Sequence, residues 1–425
     1  MKPNTSSDTI WSKNLVIITL SNFMLFLGFE MLVVTLPVYI AECGGSDAAV
    51  GLSVGVFTFS ALLMRAVAGW MLDRFGRRVV FSAGLIIMLL IALLYGAVVS
   101  VALIIAVRIL HSVGWGMSST ASNTIAADSL PPARFAEGMG YFALSNSLGM
   151  AAGPALGLLI LARTGFHGMF AFAAATAGVA LLLSFFMTMR SARDLQSSGQ
   201  ESPAASGSQA SQPESGRTVQ ADGSRPDQTG SRSGSRSGLF RFLLHPGAVF
   251  PALTILLIST SYGALTGFVA LYGAERNIGN SGIYFAVYAI SMLLTRPIAG
   301  RLTDRKGTAF VVWPGMLLTF LGMLCLGSAK GLPLFLVSAA LYGTGMGICM
   351  SSLEALAVAS VPAERRGSAT ATFMIGFDGG IGIGSVIAGL LASAAGYDAM
   401  YRIISIFIVL SAVWFFAGLR RRQSH

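Results

Sequence analysis

The chain is predicted to be an all-α membrane protein, with twelve transmembrane helices in two pseudo-symmetric six-helix bundles. Three observations lead there. Of 425 residues, 54% are hydrophobic and 11% charged, with mean hydropathy +0.72, whereas soluble domains carry about 25% charge. Apolar runs of roughly 20 residues, each able to cross a ~30 Å hydrocarbon core as a helix, recur along nearly the whole length. Finally, LLMRAVAGWMLDRFG, residues 62–76, returns as LLTRPIAGRLTDRKG, residues 293–307, identical at eight of fifteen positions. The alternating strands of ~10 residues that a barrel needs are not seen, which leaves helices as the spanning structure.

The expected spans lie at about 15–40, 49–72, 79–98, 101–127, 138–162 and 166–189, then at about 246–271, 277–302, 309–328, 332–358, 368–392 and 398–419. The first run, Leu15 to Ile40, is too long for a signal-peptide core and lacks a small-residue cleavage pattern after it, so it is read as a retained span. Residues 190–245 change character. QSSGQESPAASGSQASQPESG and GSRSGSRSG cannot bury a core and predict a flexible cytoplasmic linker leading into the seventh span. An N-terminal half, 1–189, is thereby set apart from a C-terminal half, 246–425.

The net charge of +10 does not point to nucleic acid, because most of the basic residues sit in short turns where topology accounts for them. Arg74, Arg77 and Arg78, then Arg134, then Arg301, Arg305 and Lys306, then Arg365 and Arg366 all fall on one side, so both termini are expected in the cytoplasm. Three cysteines and four histidines form no metal-ligand spacing, so no metal or cofactor is expected. GGIGIG, residues 379–384, superficially resembles a dinucleotide loop but has no strand before it, and close helix packing explains it better. No nucleotide-binding loop, nucleophile triad or folded soluble domain is visible, so the chain is not expected to be an enzyme.

An offset of 231 residues carries Arg65 to Arg296, Gly69 to Gly300, Asp73 to Asp304 and Gly76 to Gly307, and also Gly114 to Gly345 and Pro131 to Pro362. Each half is thus a copy of one six-helix unit in the same orientation, as in one large class of transporters.

GWMLDRFGRR, residues 69–78, resembles the loop 2–3 motif of the major facilitator superfamily, and GRLTDRKG, residues 300–307, its weaker echo. RILHSVGWG, from Arg108 to Gly116, is similar to the family's helix-4 arginine motif, with Ser112 where glycine is common. GMAAGPALG, from Gly149 to Gly157, resembles its exporter motif. The resemblance implies a cytoplasmic latch of Gly69, Asp73, Arg74, Gly76 and Arg77, with Asp73 docking at the N-terminus of helix 11 near Gly367 in the outward-open state. It also implies that Gly149, Gly153, Pro154 and Gly157 form a hinge and a seal against proton leakage.

Ionisable residues deep in lipid are expensive and usually functional. Glu30 in the first span and Arg108 in the fourth lie at similar depths, about 18 and 12 Å from the outer flank. Because helices 1 and 4 line the cavity in this family, the resemblance makes a contact between them possible, serving either proton coupling or a static ion pair. Asp378 in the eleventh span is a further coupling candidate, or an acid that bonds exposed backbone. The offset matches Asp378 with Ser147 and Glu354 with Asn123, so these acids break the symmetry. Glu354 is a gate or substrate candidate, and His111 either relays protons or packs. Phe23 and Phe26 share a face with Glu30, and Tyr262, Phe268 and Tyr272 are further lining candidates. Arg65 and Arg296 either snorkel or gate.

The expected function is a proton-coupled exporter of a lipophilic or amphipathic drug-like compound, acting by alternating access as a monomer in the cell membrane. The alternatives are a dedicated exporter of a metabolite or metal-chelating product, and an uncoupled facilitator.

Overall fold

Serine and glycine set the helix ends. In the computed structural model, which describes residues 11–131, 134–187, 245–279, 281–362 and 365–423, α1 (Lys13–Glu42) opens on Ser12, whose hydroxyl accepts the Leu15 amide at 3.1 Å. Ser46 caps α2 (Asp47–Phe75) in the same way, accepting from Ala49. Gly76, with φ 87°, ends α2 and turns the chain directly into α3 (Arg77–Tyr95). There follow α4 (Val101–Asp128), α5 (Phe135–Phe185), α6 (Val249–Glu275), α7 (Gly282–Lys306), α8 (Thr308–Leu326), α9 (Leu332–Ala359) and α10 (Arg366–Gln423).

Among the described residues, ten helices are long and apolar enough to cross a membrane. Two of them are double: α5, 51 residues, and α10, 58 residues, each join two helices at a glycine with non-helical backbone, Gly165 and Gly396. The predicted breaks near 163–165 and 393–397 are therefore single-residue kinks. A glycine at positive φ redirects the chain without a loop. Among the described residues there is no strand.

The internal repeat is visible in the backbone. Gly76 and Gly307 have φ of 87° and 83°, Gly165 and Gly396 of 69° and 78°, and each pair is 231 residues apart. The Tyr39 hydroxyl donates to the Val98 carbonyl at 2.8 Å, and the Tyr272 hydroxyl to the Ala329 carbonyl at 3.0 Å. Close approach repeats too. Gly84 leaves no room for a methyl against the Ser118 amide, nor Gly315 against the Cys349 sulfur. Leu63 and Leu294, 67% and 65% exposed, are also repeat mates and present the kind of apolar surface that lipid would cover.

Residues 1–189 and 243–425 form one compact unit. The linker expected at 190–245 lies, up to residue 244, outside the described residues. Within the unit, α2 packs along α10, α1 along α6 and α5 along α7, so all three pairings cross between the repeats. The α2–α10 seam is tight at one end. A methyl on Gly51 would stand 2.2 Å from the Ser385 carbonyl oxygen, and one on Gly389 would stand 2.5 Å from that of Asp47. Tyr397 donates to Asp47 at 2.8 Å, and the Ala48 amide to the Ser393 hydroxyl at 3.2 Å. Toward the other end of α2, a methyl on Gly69 would meet nothing within 4 Å, and the same holds for its repeat mate Gly300 on α7.

Candidate functional site

Glu30 is 8% exposed and makes neither hydrogen bond nor ion pair among the described residues. Its side chain stands where α1 meets α5 and α6. The space beside its Cβ exists because position 153 of α5 is glycine, where a methyl would stand 2.6 Å from that atom. Tyr262 of α6 and Tyr288 of α7 lie within electrostatic reach of its carboxyl from the opposite repeat. These tyrosines belong to an aromatic group: Tyr262 stacks on Tyr288 and on Phe377, and Tyr288 neighbours Tyr342, which meets the Ser261 hydroxyl at 2.9 Å. Tyr262, expected as a lining candidate, is buried at the seam within electrostatic reach of Glu30.

The Glu30–Arg108 contact is not formed. Arg108, 1% exposed, points into its own repeat, where its guanidinium lies over the Phe57 ring at 4.5 Å and meets His111 Nδ1 at 3.4 Å. Tyr95 contacts the same imidazole at 3.3 Å. Arg108 Nε and His111 Nε2 have no partner. Equal depth brought the two residues together on paper, but the rotation of each helix separates them. The ring of Phe57 supplies the negative face that a carboxylate was expected to supply.

Asp378 does find a cation, and it comes from the other repeat: Arg65 Nη1 donates to Asp378 Oδ2 in an ion pair between α2 and α10, the partners 33% and 20% exposed. This replaces the reading of Asp378 as an acid bonded to exposed backbone, and of Arg65 as a snorkelling residue. The symmetry mate of that bridge also exists. Arg296 of α7 reaches across to Ser147 of α5 at 3.5 Å, and both residues lie 231 positions from their counterparts in the first pair. The second copy has a hydroxyl in place of the acid. Glu354 of α9 lies within electrostatic reach of Arg296, yet no ion pair joins them.

The loop motif is partly tied. Arg77 bonds Asp128 at the end of α4, Arg78 donates to the Phe185 carbonyl at 3.0 Å, and Arg74 lies over Trp70 at 5.6 Å. Arg77 and Arg78 thus hold specific partners in addition to anchoring a face. Asp73 is exposed and has no hydrogen bond or ion pair among the described residues, so the expected docking on helix 11 is absent in this conformation. The side chains of Asp304 and Gly367 lie outside the described residues.

The glycines expected at a hinge pack closely against α1 in this conformation. Gly149, Gly153 and Gly157 face Phe26, Glu30 and Met31 of α1 at 2.6 to 3.1 Å from a hypothetical methyl, within one repeat. Pro154 is buried, and the non-helical residue of α5 is Gly165 rather than a position beside the proline. Phe26 is pinned beneath Gly149 and against Trp115, with ring centroids 4.9 Å apart. Phe268 is fully buried. Tyr272 bonds Asp398 at 2.8 Å, beside the Arg276–Asp398 ion pair. That pair, at the α6 terminus, pushes the Arg276 guanidinium further above its usual range. Phe268 and Tyr272 are therefore structural rather than lining. No cluster of metal-ligating side chains occurs among the described residues.

Long apolar helices, an internal repeat and charged contacts across its seam define a multi-pass membrane protein of the transporter class. The sequence model of the Major Facilitator Superfamily matches residues 18–308 and 277–425, and the chain belongs to that family. It is 22% identical to an uncharacterized MFS-type transporter of Methanocaldococcus jannaschii, over 96% of this chain and 99% of that one. It is 32% identical to multidrug resistance protein 2 of Bacillus subtilis over 42% of this chain and 45% of the relative. Its fold is similar to the crystal structure of a point mutant of the nucleoside transporter NupG, with a TM-score of 0.75 at 14% identity, covering 95% and 99% of the two chains.

Proposed function

We propose that the protein is a proton-coupled secondary transporter of the cell membrane, exporting a lipophilic or amphipathic organic small molecule by alternating access as a monomer. The observation that carries this reading is Glu30. A carboxyl buried at the seam with no cation to fix its charge can take up and release a proton as its hydration changes, and burial of an acid in a span is costly unless it serves function. The aromatic group around Tyr262 supplies apolar wall beside it.

Export as the direction is supported by the GMAAGPALG resemblance and by the drug-resistance relative. With twelve crossings and both termini in the cytoplasm, the tight α2–α10 end faces outward and the open end, with free Asp73, faces the cytoplasm. The conformation is then inward-facing, which fits a latch that closes only in the opposite state.

Reconstitution into liposomes under an imposed pH gradient tests the reading, with a panel of lipophilic cations, neutral drugs and polar metabolites. Proton counterflow is expected with the amphipathic class, and Glu30→Gln is expected to abolish gradient-driven flux while leaving substrate binding in place. Wild-type pH dependence in that variant would exclude Glu30 as the coupling acid, and flux blind to the gradient would exclude coupling itself.

A further inference from the structure

The two charged crossings between the repeats are built on one plan and filled differently. In the first, Arg65 meets Asp378 across the seam, and the repeat mate of Glu354 on that side is the neutral Asn123. In the second, Arg296 crosses the same seam and finds only the Ser147 hydroxyl, at 3.5 Å. The acid on this side, Glu354, belongs to the same repeat as Arg296 and stands too far away for an ion pair. Arg296 Nε is buried without a partner.

We infer that Arg296, Ser147 and Glu354 form the charged part of the substrate site and select a zwitterionic amphipath, whose carboxylate takes the place on Arg296 that Asp378 takes on Arg65. This deepens, and rests on, the proposed export of an organic small molecule. The argument is one of charge. A lone organic anion approaching Arg296 would also meet Glu354, while a lone cation approaching Glu354 would meet Arg296. A molecule carrying both charges satisfies the guanidinium and the carboxylate together and adds no net charge to a site inside a span. The guanidinium offers its fork to a carboxylate, Ser147 adds a hydroxyl donor beside it, and Glu354 accepts from the ammonium. Opposite charges that are near each other yet unpaired suit such a ligand, whereas in Arg65–Asp378 the two charges already satisfy one another.

The test is equilibrium binding to the full chain in detergent, read by dansyl fluorescence with three probes at neutral pH. These are ε-dansyl-lysine, a zwitterion; its methyl ester, a cation; and its Nα-acetyl derivative, an anion. The zwitterion is expected to bind about tenfold or more tightly than either analogue, the scale of one charge-assisted hydrogen bond. Arg296→Gln should erase its advantage over the ester, and Arg296→Lys should keep part of it. Glu354→Gln should erase the advantage over the acetyl derivative. Ser147→Asp, which copies the Asp378 arrangement, should weaken the zwitterion and spare the ester, so ester binding reports that the Arg296 and Ser147 variants are folded, and binding of the acetyl derivative reports the same for Glu354→Gln. A wild type that does not prefer the zwitterion, or variants that keep its preference, would overturn the assignment. Because binding is read without a gradient, lost selectivity with intact proton-driven export removes this inference alone, and selectivity without driven export removes only the coupling.

Discussion

Single side chains at the seam show what an ion pair is worth between two repeats that must move. Arg65 and Asp378 are partly exposed, so their bond is discounted by solvent, but removing one partner leaves the other charge inside a span. Asp378→Asn is expected to cost about 1–2 kcal/mol, and Arg65→Met in the same chain to recover part of it. Thermal unfolding in detergent, arranged as a double-mutant cycle, measures this, and a coupling energy near zero would mean the pair is not a tether. Arg108 makes the opposite point. It is held by a ring and an imidazole rather than a carboxylate, so Phe57→Leu should destabilise the N-terminal repeat more than loss of the ring's volume accounts for. The sequence showed every one of these charges and roughly how deep each lies. It did not show their partners, because depth follows from counting along a helix while partnership depends on rotation about its axis. The pair Arg65 and Asp378 had one legible signal: both sit inside spans at comparable distance from the same face.

At the level of helices, most of what the sequence predicts rests on glycine, and here it was readable. Gly76 and Gly307 occur at equivalent places in a repeated motif and adopt the same positive φ; alanine at either should cost about 1–2 kcal/mol, since a Cβ resists that conformation. The close-approach glycines are more sensitive. A methyl at Gly384, in the GGIGIG run, would stand 2.0 Å from the Thr260 carbonyl oxygen. Gly384→Ala is therefore expected to force α6 and α10 apart, costing about 1–3 kcal/mol and reducing the yield of monodisperse protein on size exclusion. Wild-type yield and melting temperature in that variant would show that α6 and α10 can part without cost. Gly149, Gly153 and Gly157, spaced every four residues, likewise make a tight contact. Which helix received it was not readable, and the partner is α1 of the same repeat.

For the whole molecule, the informative contrast is between the two ends of the α2–α10 seam. Cysteines placed at Ala48 and Ser393, with Cys43, Cys325 and Cys349 replaced, are expected to form a disulfide readily and to stop transport reversibly, since the native contact there is 3.2 Å. Cysteine at Gly69 should react with a membrane-impermeant maleimide from the opposite side, because nothing crowds that position. Failure to cross-link, or cross-linking with full transport, would refute the seam as a moving part. The duplication also bears on how such a chain can be rebuilt. Arg77 and Asp128 tie α3 to α4 in one copy, while the other copy keeps the same glycine turn and carries Thr308 and Ala359 at the equivalent places. Backbone shape and surface chemistry have therefore come apart: the scaffold holds whether or not the charges are there. An engineer could move ties from one copy to the other, Thr308→Arg with Ala359→Asp for instance, using the molecule's own first half as the template for its second.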